Sequence, residues 1–180
     1  MTRGRTLGAI IAGGRSRRFG SDKARAALDG MPLLDHVART LGAQTDALVV
    51  VGRDWPGLTM IADRPAPDQG PLGGLCAALH HARERGFETV LTAGCDILPL
   101  PANLPDLLGE ANAVAKGQPL IGLWRADLAD ALHQHLVTQD DRTMRGWIAL
   151  SGAHTVALDA MFHNFNTPED LASYRQDRAA

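Results

Sequence analysis

The 180-residue chain reads as an α/β protein with a mostly parallel central sheet. Short apolar runs rich in β-branched residues alternate with stretches whose apolar positions recur at helical spacing, the pattern of strands joined by crossover helices. Runs such as Leu48-Val49-Val50-Val51 are apolar at consecutive positions, as in strands covered on both faces. With 45% hydrophobic and 21% charged residues the composition sits near the globular average, which excludes disordered, collagen-like and coiled-coil chains.

In chain order, strands are predicted at Leu7 to Ala12, Ala47 to Gly52, Leu58 to Ala62 and Glu88 to Ala93. Leu33, Leu34, Val37, Ala38 and Leu41 share one face of a helix that begins near Pro32, a residue tolerated in a first turn. Leu72, Leu75, Cys76 and Leu79 do the same for a helix opening at Gly70-Pro71-Leu72-Gly73-Gly74. Further helices are expected at Pro101 to Gly109, Ala126 to Gln139, Thr143 to Leu150 and Pro168 to Arg175. Strands are expected at Asn112 to Ala115, Leu120 to Trp124 and Thr155 to Leu158. No repeat, low-complexity segment or Ser/Gly linker divides the chain, so residues 1–180 are read as one domain.

Two cysteines, Cys76 and Cys95, exclude a disulfide-dense scaffold and a four-thiolate zinc site, and suit a reducing cytoplasm. No apolar run approaches the ~20 residues that span a bilayer. The start Met1-Thr2-Arg3-Gly4-Arg5 lacks the apolar stretch of a signal peptide. A cytoplasmic protein without a membrane partner is expected.

The net charge of −2 hides an asymmetry. Residues 1–25 carry seven basic side chains against the single acid Asp22, whereas the remainder carries 11 basic and 19 acidic residues. Such a distribution points to an anionic partner near the amino terminus or to a solvated basic tail. The segment Ile10-Ile11-Ala12-Gly13-Gly14-Arg15-Ser16-Arg17-Arg18-Phe19-Gly20-Ser21-Asp22-Lys23 follows the first strand with three glycines and four cations. Glycines let backbone N–H groups approach phosphate oxygens, and Arg and Lys neutralise their charge. Neither G-x-x-x-x-G-K-[ST] nor G-x-G-x-x-G fits, which disfavours a P-loop kinase and a nicotinamide dehydrogenase. Only two of the 18 basic residues, Lys23 and Lys116, are lysine, so Lys23 stands out in an Arg-rich loop as a compact point charge suited to a triphosphate.

Ligands of open α/β sheets bind outside the carboxyl ends of the strands. Asp63 and Asp96 fall just past two strand ends and suit Mg2+, which takes one or two carboxylates beside phosphate oxygens. Each also reads as a turn or capping residue, Asp63 ahead of Arg64-Pro65 and Asp96 ahead of Pro99. His133 and His135 lie two apart and His80 and His81 are adjacent, so neither pair has metal-ligand spacing on a helix. They read as surface or partly buried histidines, and the two cysteines as buried thiols. No G-x-S-x-G supports a hydrolase. Three Trp and one Tyr offer little stacking surface for nucleic acid.

The opening Ile11-Ala12-Gly13-Gly14-x-Ser16-x-Arg18-Phe19-Gly20-x-Asp22-Lys23 resembles the L-A-G-G-x-S-x-R-M-G-x-D-K signature of the molybdenum cofactor guanylyltransferases, the MobA family. The likeness continues through Asp63, Gly70-Pro71-Leu72-Gly73-Gly74, Cys95-Asp96, Gln118-Pro119-Leu120, Arg142-Thr143-Met144-Arg145 and Asn164-Phe165-Asn166-Thr167-Pro168. It implies a three-layer, Rossmann-like nucleotidyltransferase that moves GMP from Mg-GTP to the terminal phosphate of molybdopterin and releases pyrophosphate. Residues 1–100 would form the nucleotide-binding half and 101–180 the acceptor half.

By that resemblance Ile11, Ala12 and Gly13 contact the nucleotide through their backbone, and Lys23 holds phosphate. Asp63 binds nucleotide, and Asp96 ligates Mg2+ while touching GTP. Asn164 and Asn166 lie on the pterin side, where Arg142 is inferred to meet the acceptor. Transient contacts with proteins that donate and accept the cofactor are implied too. Three departures stand out: Gly52 where the family often has Asn, Phe19 for Met, and Cys95-Asp96-Ile97-Leu98-Pro99 for C-D-x-P. A cytidylyltransferase for the same cofactor typically has alanine in place of Gly13, and a nucleotide- or pterin-binding module without catalysis is the non-enzymatic rival.

Overall fold

The computed structural model describes residues 4–13 and 22–179. Strand β1 (Thr6–Ile11) opens the chain, and β2 (Ala27–Leu28) and β3 (Met31–Pro32) form a short hairpin. Then come α1 (Leu33–Gly42), β4 (Ala47–Val51), β5 (Thr59–Ile61), α2 (Gly70–Glu84), β6 (Thr89–Gly94), β7 (Ile97–Leu98) and α3 (Leu104–Leu108). The second half supplies β8 (Ala113–Ala115), β9 (Gln118–Arg125), α4 (Ala129–Thr138), α5 (Met144–Ser151), β10 (His154–Val156), β11 (His163–Asn164) and α6 (Pro168–Ala179).

Seven strands form one sheet in the order β10-β8-β9-β6-β1-β4-β5. β1 runs parallel to β4 and β6, β5 to β4 and β10 to β8, while β9 alone is reversed against both neighbours. The expected mostly parallel sheet is present.

Two apolar layers cover it. On one face Ile10, Val50, Leu91, Ala93, Ile121 and Leu123 meet Leu33, Leu34, Val37 and Leu41 of α1, Leu104 and Leu108 of α3, and Leu171 of α6. On the other Leu7, Ala9, Ile11, Val49, Val51 and Val90 meet Leu72, Leu75 and Leu79 of α2, Leu132 and Leu136 of α4, and Trp147 of α5. Alternate residues of β1 therefore serve opposite layers, as the period of two requires. Each fully buried Leu contributes about 1.5–3 kcal/mol by leaving water. Gly74 brings α2 close to the sheet: a Cβ there would lie 3.2 Å from Ile11 Cγ2 and 3.5 Å from Val51 Cγ1.

Several expected boundaries shift. The helix predicted over Pro101 to Gly109 shrinks to Leu104–Leu108, because Gln44 Oε1 accepts the Leu104 N–H and Gly109 turns left-handed at φ 77°. Pro32 stands at the N-cap of α1, one residue outside the first turn where it was expected. The reversed strand extends to Gln118–Arg125 beyond Leu120 to Trp124, and β10 is His154–Val156 in place of Thr155 to Leu158. The Ala126 to Gln139 stretch opens with a 3₁₀ turn, Ala126–Leu128, before α4 begins. The hairpin β2/β3 and the pair β7/β11 were not foreseen, since two-residue strands are too short for a period to register.

Candidate functional site

The parallel strands β1, β4, β5 and β6 all end at one edge, where the loops leaving β1, β4 and β5 and the start of α2 line a cavity of about 470 Å³; Asp96, after β6, is not among its lining residues. Gly13, Gly52, Arg53, Ala62, Asp63 and Gly70 are among its walls. Of the three β1 residues expected to meet a nucleotide through the backbone, Ile11 is paired on both sides, with Val51 and Gly94. The Ala12 N–H donates to Val51 O at 3.1 Å and its carbonyl accepts from Arg53 Nε at 3.0 Å. Gly13 alone of the three lines the cavity.

Gly52, where the family often carries Asn, has φ +83°. A Cβ built on it would lie 2.5 Å from Gly13 Cα and 2.9 Å from Gly13 N, so two backbones meet where no side chain fits. Arg53 lines the cavity and pairs through Nη1 with Asp22, tying the entry of the 3₁₀ turn Lys23–Arg25 to the end of β4. Asp54 beside it is exposed and does not line the cavity. Burial by itself would lift the Asp22 carboxyl, but Arg53, the Ala24 N–H and Arg25 together hold it below the ordinary value.

Asp63 follows β5 and reaches the cavity with its carboxylate near Gly13: a Cβ on Gly13 would lie 3.4 Å from Asp63 Oδ1. Burial pushes its carboxyl up, the charge of Asp68 adds to this, and the Gln69 backbone N–H opposes it. The Arg64 N–H donates to Gly73 O at 3.1 Å, anchoring the loop behind Asp63 to α2. The amino end of the 15-residue α2 therefore stands beside this carboxylate, and the helix brings its partial positive charge to the cavity.

Asp96 occupies the turn between β6 and β7. Its carbonyl accepts the Phe165 N–H at 3.0 Å, and β7 pairs antiparallel with β11 in the register Ile97↔Asn164 and Leu98↔His163. The residues inserted before the displaced proline are thus taken up as β7. This pairing carries Asn164 and Asn166, more than sixty residues away in sequence, to the Asp96 turn. Fully buried Phe165 anchors the segment, and Asp170 accepts the N–H groups of Asn166 and Thr167, both at 2.8 Å. Arg142 is exposed in the turn entering α5, whose Trp147 packs in the opposite layer from Phe165. The structure therefore joins Asn164 and Asn166 to Asp96 but does not bring Arg142 to them, since α5 packs on the other face of the sheet. Lys23 starts the 3₁₀ turn beside Asp22. Residues 14–21, with most of the glycine- and arginine-rich segment and Phe19, lie outside the described residues.

Neither the Arg53–Asp22 tie nor the place of Asp68 in the cavity wall is expected from the sequence. Arg53 carried a signal, being the cation directly after the unusual Gly52. Asp68 carried none, because its place in the cavity wall depends on the turn of residues 64–69.

A mostly parallel sheet with a cavity at its carboxyl edge, lined by Gly13, Arg53 and Asp63, is the arrangement of a nucleotide-binding α/β protein. The MobA-like NTP transferase domain matches residues 8–157. The chain is 36% identical to the molybdenum cofactor guanylyltransferase of Cereibacter sphaeroides over 93% of its own length and 94% of that protein's. It belongs to the MobA-like NTP transferase family.

Among solved structures, molybdopterin-guanine dinucleotide biosynthesis protein A from Archaeoglobus fulgidus superposes with a TM-score of 0.72 at 20% identity, covering 96% of this chain and 98% of that one. A Mycobacterium tuberculosis protein crystallised with manganese gives 0.62 at 14% identity, covering 96% and 97%. These two likenesses establish the shared fold.

Proposed function

We propose that the protein transfers GMP from Mg-GTP to the terminal phosphate of molybdopterin (Mo-molybdopterin), giving molybdopterin guanine dinucleotide and pyrophosphate, in the cytoplasm. The observation that carries this reading is the meeting of Asp96 with the Asn164–Asn166 segment across β7 and β11, at the turn that follows β6, the strand paired with β1. A donor site and an acceptor site need to adjoin for group transfer, and this pairing supplies the junction. The guanylyltransferase named among the relatives supports the choice of reaction.

The nucleotide lies over Gly13 and against Asp63, with its phosphates toward Lys23 and the amino end of α2. An oxygen of the acceptor phosphate attacks the α-phosphorus, the bond from that phosphorus to the bridging oxygen breaks, and pyrophosphate leaves with the electron pair. The substrate is its own nucleophile, so the protein contributes alignment and charge neutralisation and needs no Ser, Cys or His adduct. Asn164 and Asn166 orient the acceptor, and Arg142 meets its charge.

A divalent cation suits the hard carboxylate of Asp96, and Mg2+ bound there supplies neutralisation of the triphosphate. The manganese bound by the structural relative is consistent with that choice. An alanine at position 13 would direct its methyl at Asp63 and narrow the cavity, so glycine there favours a purine over the cytidine of the rival enzyme.

The test is Asp96→Ala, which should keep its circular dichroism spectrum while losing most pyrophosphate release and Mg2+ dependence. Near-normal turnover in that variant would remove the metal assignment. Competition among GTP, CTP and ATP checks the base, and a clear CTP preference would overturn the guanylyl choice.

A further inference from the structure

We propose that Cys76, His80 and His133 form a binding site for a divalent transition-metal ion of the zinc type, bridging α2 and α4 on the face away from α1. Cys76 and His80 stand one turn apart on α2, at the i and i+4 spacing that points two side chains the same way. His133 faces them from α4. One ligand atom from each lies within 4.8 Å of the other two.

The imidazoles of His80 and His133 meet edge to face, with centroids 5.7 Å apart. Cys76 is fully buried and His80 is 8% exposed, yet His80 Nε2 and His133 Nδ1 are buried atoms without a hydrogen-bond partner. Two orphaned imidazole nitrogens beside a thiol are what an ion would satisfy and what packing alone leaves at a cost.

Zinc bonds of about 2.3 Å to sulfur and 2.0–2.1 Å to nitrogen place tetrahedral ligand atoms about 3.4–3.6 Å apart. Side-chain adjustments of about 1 Å therefore complete the site. A soft thiolate with two imidazoles selects Zn2+, Co2+ or similar ions over the Mg2+ expected at Asp96. Burial pushes the Cys76 thiol up to about 11, so the empty site holds S–H; binding forms the metal–sulfur bond and sends that proton to water.

Arg64, Arg83 and Asp130 also face the cluster. Arg83 Nη2 lies 3.4 Å from His80 Nδ1, and Arg83 donates to the Asp130 carboxylate through Nη1 at 2.6 Å and Nη2 at 2.9 Å. Ligation through Nε2 leaves the ring proton on Nδ1, which then turns from Arg83 toward Asp130. Half-buried His133 provides the way in from solvent. Pinning α2 to α4 would stiffen the helix whose first turn borders the nucleotide cavity. The His80/His81 and His133/His135 pairs concealed the site because its ligands come from different helices.

The experiment strips the full-length protein with a chelator and titrates it with Co2+, then Zn2+. Expected are one Co2+ per chain with a thiolate-to-cobalt charge-transfer band, displacement by one equivalent of Zn2+, and a Zn2+-dependent rise in Tm. Cys76→Ser, His80→Asn and His133→Asn should each lose the band and the rise, while His81→Gln keeps both. Should a variant fail to fold, X-ray absorption of the wild-type zinc form decides, one sulfur and two nitrogens being required. Absence of the band at saturating Co2+, its survival in all three variants, or a ligand shell without sulfur overturns the site. None of these readouts depends on nucleotide transfer.

Discussion

Gly52→Ala perturbs the closest backbone approach in the candidate site. The wild-type residue sits at φ +83°, where an L side chain costs about 1–2 kcal/mol. The added methyl must also displace Gly13 Cα, 2.5 Å away, which no rotamer change can relieve. Forcing atoms into a filled space costs about 1–3 kcal/mol, giving a total of about 2–5 kcal/mol.

For a chain of this size that corresponds to a fall in Tm of roughly 4–20 °C. Gly57→Ala isolates the steric part: its φ is +78°, but nothing lies within 4 Å of the new Cβ, so only the backbone cost applies. That variant should lose about 1–2 kcal/mol, or roughly 2–8 °C. Urea and thermal unfolding of both variants give the comparison, and GTP-induced stabilisation should be reduced in Gly52→Ala and intact in Gly57→Ala. Equal destabilisation of the two proteins would refute the contact between Gly13 and Gly52 as the reason for glycine at this position.

Two further perturbations address the charges around the cavity. Asp63 has its carboxyl raised by burial above the ordinary 3.8, so the folded protein holds this proton more tightly than the unfolded chain and stability falls as pH rises through that window. Asp63→Asn should therefore be more stable than wild type at neutral pH, lose the advantage as pH drops toward about 4, and bind GTP less well; parallel stability curves across that range would contradict the assignment. Arg53→Lys keeps the charge but cannot hold Ala12 O and Asp22 together, so nucleotide affinity by isothermal titration should weaken roughly tenfold, and an unchanged Kd would exclude Arg53 as an organiser of the site.

The alternation of β-branched runs with helical spacing was sufficient for the layered fold and most elements, because strands and helices of ordinary length repeat their periods several times. That Gly13, Asp63 and Asp96 follow strand ends at one edge of the sheet was equally legible, since strand ends in a parallel sheet converge on one edge whatever the detailed packing. Chain folding decided the rest. The antiparallel pairing of Ile97 with Asn164, the approach of Gly52 to Gly13 too close for a Cβ between them, and the junction of Cys76 and His80 with His133 each join residues distant in sequence. No local pattern encodes such meetings, because they depend on the register of strands and the seating of helices, which are settled only when the whole core is packed.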